Sequence, residues 1–299
     1  MQRKMSSVQV SKEEGKLIRR KLELARMTFK ETEETFRKNP VILVPMGSTE
    51  QHGAQCPVGD FRIAEALSKA IAQRTDSISA PVIPYSEGAA ARNFPGAIPL
   101  RADTLYNVVW DVCQGFLRLD LDHLLLVCGD HGNVPILERL IWNMKDQCGI
   151  RVAMVEQFRW FTPSWLEELY NQPAPPIGHG GDPVTSLNLH LLPKDVRPDL
   201  IEPPERREFQ DLQLKSLSQV AFDDHMFYLP IDYDEVSPNG VRGDAAIATR
   251  EIGEKIWERF TQIGVTIVER FKQVETMCKI LARSPRPASA RTTVSNGGR

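Results

Sequence analysis

Three short stretches of the chain concentrate side chains able to bind a metal or move a proton. The first, GSTEQHGAQCPVGDFRIAEA from Gly47, carries Glu50, His52 and Asp60. Two carboxylates and an imidazole form an oxygen and nitrogen donor set suited to Zn, Mn or Fe at a hydrolytic site, and unlike a thiolate structural zinc. Glu50 and His52 are alternate residues and point the same way if that stretch is extended. Asp60 precedes a helical pattern, so it either bridges metals or caps the helix as Asp commonly does. The second stretch, CGDHGN at 128–133, places Asp130 and His131 side by side in a Gly-flanked turn. One reading makes them ligands or catalysts; the other is a loop whose Asp and Asn bond the local backbone. The third, GHGGDPVTS at 178–186, offers His179 and Asp182. An imidazole there suits general acid or base chemistry because its ordinary pKa is near neutral. Ser48 is a weak candidate nucleophile, because GSTEQ lacks the strained GxSxG elbow and no triad partners are evident.

The flanking segments are of the kind that position such loops. The run VILVPMGS from Val41 reads as a buried parallel strand ending where the first motif starts, and LLLV at 124–127 plays the same part before the second. Helical periodicity over 61–72, 103–119 and 135–145 alternates with strands at 78–84 and 152–155, and further helices are expected at 185–192 and 245–272. Strands alternating with helices predict a three-layer α/β/α sandwich around a mostly parallel sheet. Sites in such folds gather beyond the carboxyl ends of the strands, where these motifs lie. Residues 11–38 predict helix, so 1–27 is expected to be a helical extension, 28–275 the catalytic domain and 276–299 a disordered tail rich in Ser, Pro, Arg and Gly. Residues 196–235 read as irregular and acidic.

Composition narrows the function class. With 37 Lys and Arg against 39 Asp and Glu, the net charge of -2 provides no basic surface for a nucleic acid. No apolar run reaches membrane-spanning length, and the first residues lack a secretory pattern. Five widely spaced cysteines argue against a disulfide framework, and reduced thiols in a cytoplasm are expected. A small-molecule substrate is the expected partner.

Taken together and in order, the motifs resemble the creatininase family. PMGSTEQHG with PVGDFRIAEA is similar to its GSxEQHGxHLPLxTDxxIA signature, and FPGAIPLRADTL at 94–105 to its FPGTISL segment. CGDHGN stands where the family has NGHGGN, GHGGDPVTS where it has HAGExETS, and SPNGVRGDAAIAT where it has SxxGVxGDPxxAT. The resemblance spans roughly residues 28–270. It implies a hydrolase opening or cleaving a small, cyclic amide or polyol ketone with a metal-activated water, one or two Zn or Mn ions per chain with Fe an alternative, and a homo-oligomer, hexameric in many members. Carried over by position, Glu50, His52, Asp60, Asp130 and Asp182 are the implied metal ligands. His179 and His131 are the implied catalytic groups, and Glu87, Phe94 and Asn133 the candidate substrate contacts.

The departures are also specific. The family's second histidine is Gln55 here, its metal histidine in NGHGGN aligns with Asp130, with His131 one residue on, and the second Glu of HAGExETS is Val184. Creatinine itself is a poor candidate, because the Glu of the NGHYEN motif in true creatininases is Gly132 here. These losses motivate an alternative, a binding or scaffold protein that keeps the fold without catalysis.

Overall fold

A computed structural model describes residues 21–278. Its central sheet has four parallel strands in the order β2 (Ile78–Ser79), β1 (Ile42–Met46), β3 (Leu124–Cys128), β4 (Ala153–Glu156). Every residue of β1 and β3 is buried, which is why both read as unbroken apolar runs. Proline within a strand next to the sheet centre needs a reason. Pro45 faces the β2 side, where its carbonyl accepts from Ile83 N–H at 3.0 Å, and there regular pairing has given way to an isolated Met46–Ile83 bridge. Its missing N–H therefore leaves no ladder bond unmade.

Helices cover both faces. Ile42, Val44, Met46, Leu124 and Leu126 pack beneath α3 (Ala102–Leu117) and α4 (Val134–Asn143), through Leu105, Val109, Leu137 and Leu140. On the other face Leu43, Leu125 and Val127 meet α2 (Phe61–Thr75), α6 (Val184–Leu191) and α8 (Arg250–Phe271), through Leu67, Leu187 and Phe260. Each fully buried Leu or Ile in these layers contributes about 1.5–3 kcal/mol. Helix α8 can lie close on α6 because Gly253 has no side chain: a Cβ there would come within 2.0 Å of Ser186 O. The expected three-layer α/β/α sandwich is the observed one.

Local differences from the sequence reading have physical causes. The described part of the expected 11–38 helix contains a 3-10 turn at Leu24–Arg26 and α1 (Phe29–Phe36), which Thr28 opens with a capping box. Leu22 and Glu23 extend the sheet edge, with Ser79 N–H on Leu22 O at 2.8 Å and a parallel Glu23–Ser79 bridge, and residues 1–20 of the expected helical extension lie outside the described residues. The expected tail boundary at 276 also moves, because Arg151 N–H donates to Thr276 O and Cys278 N–H to Gly149 O; residues 279–299 lie outside the described residues. Helix α5 (Pro163–Tyr170), with Thr162 as its cap, was absent from the sequence reading.

The segment expected to be irregular holds an antiparallel sheet of β5 (Gln213–Ser216), β6 (Gln219–Phe222) and β7 (His225–Tyr228), followed by a short α7 (Tyr233–Val236). Its β6–β7 turn is Asp223–Asp224, both at positive φ as a tight hairpin requires. The small core of Val220, Ile231 and Val236 carries little apolar signal, and β7 is exposed throughout, which hid the strands in the sequence.

Candidate active site

The loop after β1 folds back on itself at the carboxyl end of the sheet. Gly59 N–H donates to Glu50 O at 2.9 Å, and Ser48 N–H to Asp60 Oδ1 at 2.6 Å. Asp60 occupies the N-cap position of α2 but makes no capping bond. Its carboxylate reaches back to the strand end instead, with Oδ2 3.9 Å from His52 Nε2. Glycine is needed at the root of this loop, because a Cβ on Gly47 would sit 2.4 Å from Asp60 Oδ1. Glu50 is cradled likewise, since a Cβ on Gly88 would lie 2.9 Å from Oε2.

The loop after β3 contributes Asp130, nearly buried, with Oδ1 accepting from Gly132 N–H at 2.9 Å. His131 points elsewhere: its ring is 72% exposed and its Nδ1 lies 3.5 Å from Glu156 Oε2 on the cavity rim. Of the adjacent pair, Asp130 faces Glu50 and Asp60, and His131 does not join them. Burial of both carboxylates beside it leaves Asp130 close enough to raise the pKa of each.

His179 arrives on a third loop, 176–182, laid against 240–244. Arg242 and Gly243 N–H both donate to His179 O, at 2.8 and 3.1 Å, and Asp244 N–H donates to Pro176 O at 2.7 Å. The backbones approach this closely only because Gly178, Gly181 and Gly243 lack side chains; a Cβ on Gly243 would stand 2.3 Å from Gly178 N. The His179 ring stacks on Tyr233 with centroids 4.3 Å apart, and its Nδ1 lies 4.0 Å from Glu50 Oε1. Its Nε2 is 3.0 Å from Gln51 Nε2. The Gln51 amide is oriented by two backbone groups, Gly53 N–H on its Oε1 and Gly240 O accepting from its Nε2. Gln51 therefore donates to His179 Nε2, which assigns the imidazole proton to Nδ1, the nitrogen facing Glu50.

The electrostatics are those of a site built for a cation. Burial, and then Asp130, push Glu50 up to about 8, while burial with Asp130 and Glu50 raise Asp60 well above the usual carboxylate range. Asp130 is raised mainly by burial, with Ser86 and the Gly132 N–H acting against it. Burial and the neighbouring His179 hold His52 well below its ordinary value, and burial takes His179 down to about 4. His52 is 4% exposed, yet neither ring nitrogen has a hydrogen-bond partner among the described residues. An orphaned buried imidazole beside clustered carboxylates is unfavourable in isolation, and a divalent cation relieves both defects. Glu50, His52 and His179 each bring one ligand atom within 4.8 Å of the others. With the His179 nitrogen that faces Glu50 protonated, the donors left for a cation are Glu50 and His52 with the neighbouring Asp60 and Asp130, a set that Zn, Mn or Fe accepts.

Several expected site residues have other roles. Asp182 is fully buried away from the cavity, accepting from Tyr170 Oη, Ser186 N–H and Ser186 Oγ, each at 2.7 Å. It anchors α6 and has no face toward Glu50, so the implied ligand is corrected to a structural carboxylate. Gln55, where the family has a histidine, is likewise a staple, donating to Gly180 O at 2.8 Å and Thr185 Oγ1 at 2.9 Å. Glu87 lines the cavity. Asn133 lies behind it and fixes the Glu87 backbone, its Oδ1 3.1 Å from Glu87 N, and Phe94 does not reach the cavity. Gln51, Tyr233 and Arg242 were absent from the sequence candidates. Gln51 stands inside the first motif, whereas Tyr233 and Arg242 come from segments whose approach is set by tertiary structure alone.

These groups open on a cavity of about 1110 Å³ whose lining also includes Leu214 to Ser218, Pro230 to Tyr233, Arg206 and Arg242. Comparison with known proteins agrees with this geometry. The chain is 27% identical over 242 residues to a mycofactocin precursor peptide peptidase of Mycobacterium ulcerans, covering 78% of this chain and 86% of that protein. It is 23% identical over 261 residues to a 3-dehydro-scyllo-inosose hydrolase of Thermotoga maritima, covering 82% and 83%. A solved manganese creatininase superposes with a TM-score of 0.67 at 24% identity, over 84% of this chain and 98% of that one. A mutant creatininase of Zn–Zn type gives 0.68 at the same identity and coverage. Residues 25–268 match the profile of the creatininases, described as creatinine amidohydrolase. A match of that extent, over a fold and strand-end site of this kind, places the chain in the creatininase family of metal-dependent hydrolases.

Proposed function

We propose that this chain hydrolyses a carbonyl-centred bond, an amide C–N bond in first place, in a metal-dependent reaction. The observation carrying the proposal is His52, buried with both ring nitrogens unpaired beside Glu50, Asp60 and Asp130. Glu50, His52, Asp60 and Asp130 would hold one or two divalent ions, Zn or Mn by likeness to the creatininases. Bound there, the metal supplies Lewis acidity, lowering the pKa of water toward neutral and polarising the carbonyl.

The chain's own residues then bind and orient. His179 is neutral at physiological pH, and with Gln51 donating to its Nε2 it offers the Nδ1 proton as a hydrogen bond to the oxygen or leaving atom that gains charge. Tyr233, stacked on the ring, keeps its plane fixed. The amide reading draws support from the peptidase relative, and a cyclic polyol ketone, which the inosose hydrolase handles, is the second reading. A cavity of about 1110 Å³ exceeds what a single small ring fills, which favours a substrate extending beyond its reacting centre.

The test is hydrolysis of cyclic amides, short peptides and cyclic polyol ketones by protein stripped with chelator and then restored with Zn or Mn. Turnover that appears only on restoration supports the proposal. Turnover that survives stripping, or a protein that takes up no metal and only binds ligands, refutes it and favours the scaffold alternative.

A further inference from the structure

Groups of both charges line the cavity: the carboxylates Glu50, Asp60 and Asp130, and Arg242, whose charge acts on His179 and Tyr233. The Arg242 backbone N–H is bonded to His179 O, so Arg242 and the catalytic imidazole are fixed in relative position. Arg206, also on the cavity wall, donates through Nε and Nη2 to Arg242 O, which braces the loop and leaves the Arg242 side chain unengaged. Arg242 Nη1 is enclosed without a hydrogen-bond partner, and the side chain has no ion pair among the described residues. Two further carboxylates on the cavity lining have partners of their own: Asp232 pairs with Arg92 at 2.6 Å, and Glu235 accepts from Asp232 N–H at 2.7 Å. Arg242 is thus a half-buried guanidinium on the cavity lining, with Nη1 enclosed and no carboxylate partner among the described residues. Burial and the charge of Arg206 both work against its own ionised form, so a second cation is unwelcome there and an anion is favoured.

We propose that Arg242 is the anchor for a substrate carboxylate, so that the substrate is an acid held by its anionic end on this wall while its carbonyl lies at the Glu50–His52–Asp60 cluster. The guanidinium fork matches a carboxylate through paired N–H donors. This rests on the hydrolase reading above and adds the substrate class. Position 242 is the unspecified residue of the GVxGD stretch, so the residue is free to set specificity without altering the loop.

Hydroxamates separate the two layers of the argument, because the head group grips an active-site metal whatever the natural substrate. The probes are straight-chain hydroxamates of three to six carbons ending in a carboxylate, each paired with its terminal amide, titrated by calorimetry against the zinc-loaded protein. We expect at least one carboxylate to bind about 10-fold or more tighter than its amide, as a charged hydrogen bond provides. That preference is lost in Arg242→Gln and partly restored in Arg242→Lys, with zinc content and Tm unchanged as the control on folding. Equal binding of every acid and amide pair by the wild type overturns the assignment of Arg242 while leaving the hydrolase reading intact. A preference that persists in Arg242→Gln also overturns it. Failure of all hydroxamates on protein that takes up no zinc overturns the hydrolase reading, and the carboxylate anchor with it.

Discussion

Stripping the metal should make the fold lose stability as the solution becomes more alkaline, an unusual direction for a protein near neutral pH. Glu50 rises from an ordinary 4.5 to about 8 in the metal-free fold, because burial and Asp130 disfavour its charge. A carboxyl whose folded pKa lies above its unfolded one keeps its proton only while folded, so stability falls as pH rises between the two values. His52 and His179 run the other way: both are lowered in the fold, so their contribution is lost as pH falls below 6.5, the ordinary histidine value. Between pH 6.5 and 8 the folded histidines are neutral and the unfolded ones shed only their remaining protons, an offset smaller than the carboxyl effect. At about 1.4 kcal/mol per pH unit, that interval removes about 2 kcal/mol through Glu50. For a chain of 299 residues the loss lowers Tm by about 3 °C, and Asp60, raised well above the ordinary carboxylate range, acts in the same direction. Calorimetry of chelator-treated protein from pH 6.5 to 8 reads the slope; it should shrink in Glu50→Gln and vanish in zinc-loaded wild type. A metal-free Tm that is flat or rises across the interval, or an unchanged slope in Glu50→Gln, refutes the reasoning.

Gln51→Glu should reverse the His179 tautomer, since a carboxylate at that place accepts from Nε2–H. Nitrogen NMR of labelled histidine should show the proton moving from Nδ1 to Nε2, with turnover down about 100-fold and metal content retained; an unchanged tautomer contradicts the assignment. Asp182→Ala should strand Tyr170 Oη and both Ser186 groups in the interior, lowering stability by about 2–4 kcal/mol in chemical denaturation. The folded fraction should bind metal normally, and metal lost from fully folded Asp182→Ala would restore Asp182 as a ligand.

The central sheet was legible because parallel strands buried on both faces leave unbroken apolar runs, and the chemistry sits directly after two of them. Glu50, His52 and Asp60 were legible for the same reason, as one loop of known anchoring carries all three. The third loop was harder. His179 and Asp182 are three residues apart in a glycine-rich turn, and only the fold reveals that one faces the cavity while the other is consumed by Tyr170 and Ser186. Asp130 and His131 pose the same problem at adjacent positions, where a turn buries one side chain among the carboxylates and leaves its neighbour exposed beside Glu156. Tyr233 and Arg242 left no local signal, since their place depends on the hairpin sheet and on glycine-mediated packing of two distant loops. That hairpin sheet was itself missed because most of its side chains are exposed and its strands are four residues long.

The central claim is that this site holds a divalent metal through Glu50, His52, Asp60 and Asp130. Elemental mass spectrometry of the purified wild type and of Asp60→Ala, prepared without chelator and checked for folding by Tm, tests it most directly. One or two Zn, Mn or Fe per wild-type chain, with a sharp fall in the variant, is the expected result. A folded wild type that carries no metal and takes up none on addition would contradict it.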